Sequence, residues 1–225
     1  MIGCFWPLDT LGTVPCPPVP IEPLLLEADD GVRLEAELSV PPEPWAAVVL
    51  AHPHPQFGGN MRSLVTGTLF EALPAAGVAA LRFNFRGVEG SEGSYGGGVG
   101  EQRDVVAAID ALAPITEGLP LALSGWSFGA DTSLAVADDR VAGWAPVAPP
   151  LRIVDPANMP AASDPRPKGV VLARHDQFRD PDEAAAIVGH WPATTVTVVE
   201  GADHFFVGRT ARVAEIVLEW VRKLA

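Results

Sequence analysis

The chain has 225 residues, 48% of them hydrophobic, which suits one α/β domain with a sizeable buried core. Its formal net charge of -13 disfavours nucleic acid and anionic membranes as partners, because both repel an acidic surface. The two cysteines, Cys4 and Cys16, form neither a disulfide framework nor a metal-binding spacing, and whether they bridge each other stays open.

The N-terminal residues predict neither a secretion signal nor a membrane anchor. They lack a basic stretch followed by a long apolar one, and the chain has no apolar run of about 18 residues. We therefore expect a cytoplasmic protein. Prolines recur through residues 1–20, which predicts a tail, and residues 21–225 are expected to form one domain.

A β-hairpin is predicted first, because two β-rich runs flank an Asp-Gly pair at Asp30 and Gly31. Helices and strands then alternate. Strands are expected at Ile21–Leu26, Val32–Val40, Ala46–Ala51, Val78–Phe83, from Leu119, and at Val141–Val147, Gly169–Ala173 and Thr194–Val199. Helices are expected at Arg62–Ala75, Glu101–Ala113, from Phe128 to about Ala137, and at Asp180–Gly189 and Arg209–Leu224.

This alternation predicts an α/β fold with a mostly parallel sheet and helices on both of its faces. The proline-rich residues 148–167 are too few for a full cap, so we expect no large cap domain. In such sheets, functional sites form at the carboxyl ends of the strands. The segments that follow the strands are therefore the place to look for chemistry.

The strand that begins at Leu119 ends in Gly125-Trp126-Ser127-Phe128-Gly129, and a helix is predicted to follow it. This is the G-x-S-x-G pattern, in which a serine stands on a sharp turn and glycines allow the helix to approach the strand. A short pattern of this kind also occurs by chance, and its strand–turn–helix context favours a nucleophile. Ser127 is the candidate nucleophile.

A serine hydroxyl needs a base, and the base needs an orienting acid. Asp176 and His204 each follow a predicted strand, in the chain order nucleophile, acid, base. Asp176 could instead cap a turn, whereas Asp180 resembles a helix N-cap. Among the five histidines, His204 suits the base best.

An oxyanion formed during ester cleavage needs preorganised N–H donors. The backbone N–H of Phe128 is one candidate, and His54 is the first candidate for the other, with Gln56 and Phe57 next. Pro53 and Pro55 have no N–H to offer. His52 and His54 could form a metal pair, but no carboxylate or cysteine accompanies them, so we expect His52 to hold the loop and expect no metal and no cofactor.

Several motifs together resemble the α/β-hydrolase superfamily, in particular the small dienelactone-hydrolase-like bacterial enzymes. They are His52-Pro53-His54-Pro55 with Gly58-Gly59, Arg82 to Gly87, Ser91-Glu92-Gly93, Gly125 to Gly129, and Gly201 to Phe206. The resemblance implies the α/β-hydrolase fold and a triad of Ser127, His204 and Asp176. Dienelactone hydrolases use a cysteine nucleophile, so their substrate is not carried over. Glu89 departs from the usual loop sequence and is expected to add a carboxylate near the site.

We interpret the chain as a serine hydrolase of small to medium carboxylic esters or thioesters. A peptidase or acyltransferase on the same triad, and a non-catalytic ligand-binding protein, are the alternatives. The partner expected is a small-molecule ester, and the sequence leaves a homodimer open. Arg62, Arg86, Arg152 and Arg174 could meet a substrate carboxylate, but a structural role is favoured for them. Aromatic and apolar residues predicted to line the pocket are Phe57, Tyr95, Trp126, Met159 and Phe205.

Overall fold

A computed structural model describes residues 18–225 of the protein. Cys4, Cys16 and most of the predicted tail lie outside these residues. The described chain forms one sheet of eight strands. The strands are β1 (Glu22–Glu27), β2 (Arg33–Ser39), β3 (Ala46–Ala51), β4 (Val78–Phe83), β5 (Leu121–Trp126), β6 (Val141–Val147), β7 (Lys168–His175) and β8 (Thr194–Asp203).

The strand order across the sheet is β1-β2-β4-β3-β5-β6-β7-β8. β2 is antiparallel to both of its neighbours, and all pairs from β4 to β8 are parallel. The predicted mostly parallel sheet with an N-terminal hairpin is therefore confirmed. The carboxyl ends of β3, β5, β6, β7 and β8 meet at one edge of the sheet.

Five α-helices cover the sheet. They are α1 (Leu64–Ala75), α2 (Gly100–Leu112), α3 (Phe128–Leu134), α4 (Pro181–Val188) and α5 (Thr210–Val221). The apolar sides of α1 and α5 bury one face of the sheet, and those of α2, α3 and α4 bury the other. The central strands β3 to β5 are buried along their whole length, which explains their continuous apolar sequences.

Two glycines let α5 lie close to the sheet. A Cβ at Gly169 would stand 2.4 Å from the ring of Trp220, and a Cβ at Gly143 would stand 3.0 Å from the same ring. Trp220 is buried where these two strands pass beneath it. The absence of side chains at the two positions thus makes room for the largest side chain of the helix.

Three element boundaries differ from the predicted ones in ways that affect the site. β8 continues past Val199 to Asp203, because its pairing with β7 resumes between His175 and Asp203 after an irregularity. α1 begins at Leu64 rather than Arg62, since the preceding residues form a turn in which Ser63 N–H donates to the Asn60 carbonyl. α3 ends at Leu134, short of Ala137.

The segment between β6 and β7 contains only two short 3-10 turns, Pro156–Asn158 and Pro160–Ala162. Within residues 18–225 no cap domain stands over the carboxyl edge of the sheet, as predicted. None of the helices in this part of the chain is long and apolar enough to span a bilayer.

Candidate active site

Ser127 lies on a sharp turn between β5 and α3. Its backbone angles, φ 57° and ψ -117°, fall in a region that non-glycine residues seldom adopt. A Cβ at Gly125 would stand 2.3 Å from the backbone of Gly129, and a Cβ at Gly129 would stand 2.4 Å from the Ala51 carbonyl oxygen. Both positions therefore require glycine, which is the physical reason for the predicted pattern.

Backbone hydrogen bonds tie this turn to the neighbouring strands. The Ser127 N–H donates to the Val147 carbonyl at the end of β6 (2.9 Å), and the Ala148 N–H donates to the Val171 carbonyl of β7 (2.7 Å). The strained serine is therefore fixed relative to the ends of two further strands. Such fixed strain is common where a side chain must be presented to a substrate.

The structure brings Ser127, His204 and Asp176 together in one hydrogen-bonded row. Ser127 Oγ lies 2.9 Å from His204 Nε2, and His204 Nδ1 lies 2.7 Å from Asp176 Oδ2. The side chains of His204 and Asp176 are each only 5% exposed. The three residues lie at the ends of β5, β7 and β8, and this is the arrangement in which a carboxylate orients an imidazole towards a serine.

Further hydrogen bonds hold the acid and the base in place. The other oxygen of Asp176, Oδ1, accepts the backbone N–H groups of Phe178 (2.8 Å) and Arg179 (3.1 Å). The His204 N–H donates to Gln177 Oε1 (3.2 Å). The His204 carbonyl accepts the indole N–H of Trp126 (3.0 Å). The role of Gln177 was not predicted, because its contact depends on how two loops meet.

Two residues that line the cavity with Ser127, Phe128 and His54, have backbone N–H groups without an acceptor in the described part of the chain. Among residues 18–225, no hydrogen bond uses the N–H of Phe128 or that of His54. The N–H groups of Gln56 and Phe57 are already engaged, with His54 Nδ1 (3.3 Å) and the His54 carbonyl (3.1 Å). Of the three predicted candidates for the second donor, His54 is thus the one with a free N–H.

His52 anchors the loop that carries His54. It is fully buried, its Nε2 accepts the Phe85 N–H (3.0 Å), and its Nδ1 lies 2.6 Å from the Pro53 carbonyl oxygen, to which it donates. Burial lowers the pKa of His52 from 6.5 to about 3, so the ring is neutral. Both ring nitrogens are occupied, which agrees with the expected structural role.

A second loop, residues 148–153, is held by Asp131 of α3. This buried carboxylate accepts the consecutive N–H groups of Leu151 (2.9 Å), Arg152 (2.9 Å) and Ile153 (3.0 Å). Burial raises the pKa of Asp131 from 3.8 to about 6, although these hydrogen bonds favour the charged form. Arg179 Nε also donates to the Pro150 carbonyl (2.8 Å), so the loop is held from both sides.

A cavity of about 370 Å³ opens beside Ser127 between these two loops. Three of the predicted pocket residues line it: Phe57, Trp126 and Phe205. Leu64, Ile153 and Phe178 line it as well and were not predicted. Phe57 stands at the rim of the cavity and is 85% exposed.

Two predicted pocket residues do not line the cavity. Met159 is buried in the core, because the 3-10 turns after Asp155 direct it inward. Tyr95 stands behind His54, with its hydroxyl 3.4 Å from His54 Nε2. Neither placement could be read from the sequence, since both depend on the path of a loop.

Glu89 also lies away from the cavity lining, which corrects the expectation of an extra carboxylate near the site. Its carboxylate accepts the Asn84 side-chain N–H (2.9 Å) and pairs with Arg62 (3.2 Å). Arg86 and Arg174 are paired with carboxylates too, with Asp104 (2.7 Å) and Glu200 (3.0 Å). Arg62, Arg86 and Arg174 thus have the ion pairs expected of structural residues. Arg152, in contrast, lines the cavity.

Comparisons with known proteins define the class of this fold and site. Residues 30–190 match the family model described as X-Pro dipeptidyl-peptidase (S15 family). The structure resembles an alpha-beta serine hydrolase homologue from Coxiella burnetii, with 33% identity over 91% of this chain and 97% of the other, and a TM-score of 0.79. The chain therefore belongs to this family of the α/β-hydrolase superfamily, and the predicted superfamily is confirmed.

Two further relatives cover nearly the same length. A serine hydrolase without a lid from Xanthomonas campestris is 25% identical, with a TM-score of 0.81 over 96% of this chain and 97% of that one. An uncharacterized protein of Rickettsia prowazekii is 29% identical over 203 residues, 84% of each chain. The protein is therefore similar over almost its whole length to α/β serine hydrolases, one of which is described as having no lid.

Proposed function

We propose that the protein hydrolyses small to medium carboxylic esters through an acyl-enzyme on Ser127. The observation that carries this proposal is the row of 2.9 Å and 2.7 Å contacts from Ser127 through His204 to Asp176 at the edge of an open cavity. The membership of the α/β-hydrolase superfamily supports it.

In the first step, His204 takes the proton of Ser127 as Oγ attacks the ester carbonyl. Asp176 accepts from Nδ1 of His204 and stabilises the imidazolium that forms. The burial of both partners strengthens this interaction, because little water is present to screen it. His204 then gives its proton to the leaving alcohol, and in the second half activates the water that releases the acid.

The negative oxygen formed on the substrate would be held by the N–H groups of Phe128 and His54. Phe128 is the first residue of α3, so its N–H has no acceptor within the helix, and the helix dipole favours an anion there. One such donor typically contributes a factor of about 10²–10³ in rate. The anchoring of the His54 loop by His52 supplies the rigidity that such a donor needs.

The cavity favours an ester of small or medium size. Its volume of about 370 Å³ lies near the lower end of ligand pockets. Its walls are mostly apolar and aromatic, including Trp126, Phe178 and Phe205, which suits an apolar acyl or alcohol group. We expect a small-molecule ester as the partner, and neither nucleic acid nor a membrane.

A peptidase is the second candidate, because the family whose model matches is named for X-Pro dipeptidyl-peptidases. Dipeptide release requires recognition of a substrate's free N-terminal ammonium, which calls for a carboxylate in the site. Among the described residues, no Asp or Glu lines the cavity, and Arg152 would repel an ammonium. Turnover of an X-Pro-p-nitroanilide without ester hydrolysis would decide for this candidate.

The test of the ester proposal is the Ser127→Ala variant. Wild-type protein should hydrolyse a p-nitrophenyl short-chain ester, and Ser127→Ala should lose this activity by a factor of about 10⁴ or more while keeping its circular dichroism and melting temperature. Ser163→Ala, at an exposed serine, is the matched control. Undiminished turnover by Ser127→Ala would overturn the mechanism.

Labelling with a fluorophosphonate separates catalysis from simple ligand binding. The probe should modify wild-type protein and Ser163→Ala but not Ser127→Ala. A folded wild-type protein that fails to react would favour a non-catalytic ligand-binding role over a hydrolase.

A further inference from the structure

Arg152 is a basic residue of the cavity wall without a carboxylate partner in residues 18–225. Most other arginines in this part of the chain form salt bridges, for example Arg86 with Asp104 and Arg166 with Asp164. Within the described residues, Arg152 makes a hydrogen bond through its backbone N–H, which donates to Asp131, and none through its side chain. Its guanidinium is therefore available to a ligand.

The charge of the cavity differs from that of the whole protein. The chain carries a net charge of -13, yet the described residues that line the cavity include Arg152 and neither Asp nor Glu. Asp176, the carboxylate that contacts His204, is almost completely buried and does not line the cavity. A cation in this lining is thus not part of a generally basic surface, and it calls for a local explanation.

The backbone that carries Arg152 is fixed in place. The buried Asp131 accepts the N–H groups of Arg152 and of the residue on each side of it. Arg179 holds the Pro150 carbonyl from the other side of the loop. Because the backbone is held so firmly, the point from which the Arg152 side chain extends is constant relative to the cavity, and no backbone ordering is needed for it to pair with a ligand.

We infer that the natural substrate is an ester that also carries a carboxylate group, and that Arg152 is the specificity-determining residue that pairs with it. This inference rests on the proposed ester hydrolysis. A guanidinium presents two parallel N–H donors that match a carboxylate. Hydrolysis adds water across the ester bond, so that the acyl part leaves as a carboxylate, the other part leaves as an alcohol, and one proton is released.

The test compares kcat/KM for an anionic ester with kcat/KM for its neutral counterpart. A substitution that disturbs the cavity in general lowers both values, so the ratio of the two isolates the effect on the charged group. One pair places the carboxylate on the acyl side: p-nitrophenyl monoesters of dicarboxylic acids of increasing length, against the same molecules with the carboxylate methylated. The other places it on the alcohol side: 4-acetoxybenzoate against 4-acetoxybenzamide. The measured quantity is the ratio of kcat/KM for the anionic member to that for the neutral member.

In at least one pair, Arg152→Gln should lower this ratio by about threefold to tenfold, as expected for a partly exposed ion pair. The change should appear mainly in KM, and Arg152→Lys should restore part of the ratio. Arg222→Gln, at an exposed arginine at the far end of α5, removes the same charge and should keep the wild-type ratio.

Two results would contradict the inference, and they are distinguishable. If wild-type protein hydrolyses the neutral esters but Arg152→Gln keeps the wild-type ratio in both pairs, the substrate carboxylate is wrong and the ester hydrolase stands. If wild-type protein hydrolyses none of these esters, the proposed function itself fails, and this inference fails with it.

Discussion

Two loops frame Ser127, and a buried ionisable side chain holds each of them. His52 holds the loop that offers the His54 N–H, and Asp131 holds residues 151–153, which carry Arg152 into the cavity wall. Burial shifts the pKa of both anchors towards the neutral form, down to about 3 for His52 and up to about 6 for Asp131. The histidine is therefore neutral at pH 7, whereas the aspartate is charged.

This difference separates two kinds of support. A neutral histidine holds its loop with one donated and one accepted hydrogen bond, and it keeps both over the whole physiological pH range. The charged aspartate makes stronger hydrogen bonds, but its charge is costly to bury. We therefore expect the side of the site that carries His54 to be rigid and insensitive to pH, and the side that carries Arg152 to respond to acid.

Of the changes at the two anchors, the largest effect is expected from replacing the neutral one, His52. His52→Phe keeps an aromatic ring but leaves the buried Phe85 N–H without an acceptor, and it releases the loop that carries His54. The free energy of unfolding should fall by about 2–3 kcal/mol, since a buried donor loses its partner. The kcat for a p-nitrophenyl ester should fall about 10²-fold, as when one oxyanion donor is misplaced.

His190→Phe is the control for this change, because it makes the same substitution at an exposed histidine. It should leave both the urea midpoint and the kcat close to their wild-type values. A His52→Phe variant that keeps full kcat would show that this loop contributes nothing to the reaction.

The two anchors should also affect the pH dependence of stability with opposite signs. Between about pH 7.5 and about pH 5, unfolded His52 takes up a proton and folded His52 does not, so its stabilising contribution decreases as the pH falls. Folded Asp131 takes up a proton in the same range while the unfolded residue stays charged, so its contribution increases as the pH falls.

Urea unfolding of the wild type, His52→Phe and Asp131→Asn at both pH values measures these contributions. The stability advantage of the wild type over His52→Phe should shrink by about 1–2 kcal/mol at the lower pH, and its advantage over Asp131→Asn should rise by a similar amount. Changes of the same sign in both comparisons would mean that the anchors do not differ as described.

The smallest expected effect is that of Asp131→Asn on catalysis. An amide offers one acceptor oxygen where the carboxylate has two, so its NH₂ group would face one of the loop N–H groups. The loop that carries Arg152 should loosen, and KM for an ester should rise about threefold to tenfold with a smaller change in kcat. Asp155→Asn, on the surface of the same segment, should change neither.

Much of the fold followed from the sequence, and so did the choice of Ser127, His204 and Asp176 as the residues that come together. Continuous apolar runs predicted the buried strands. The close packing that requires glycine at positions 125 and 129 appears in the sequence as the local G-x-S-x-G pattern. The anchors were harder to foresee. His52 was predicted to hold its loop, because the neighbouring prolines pointed to a rigid segment, but nothing in the sequence near Asp131 indicated that it receives N–H groups from residues 151–153.

The pocket was predicted least well, since its walls come from loops whose paths are set by distant contacts. Phe57, Trp126 and Phe205 line the cavity as predicted, but Met159 turns into the core and Tyr95 stands behind His54. Phe178 was missed as a lining residue because its position depends on the turn held by Asp176. A single sequence indicates which segments reach the site but not which side chains point into it.

The backbone bonds from Ser127 to Val147 and from Ala148 to Val171 bear on how new specificities could arise in this protein. They set the position of Ser127 relative to the ends of β6 and β7, independently of the side chains in the cavity wall. Substitutions at Leu64 or Ile153 can therefore reshape the cavity without moving Ser127 relative to these strands. Laboratory evolution of substrate preference should accordingly accumulate changes in the wall while the reaction machinery is kept.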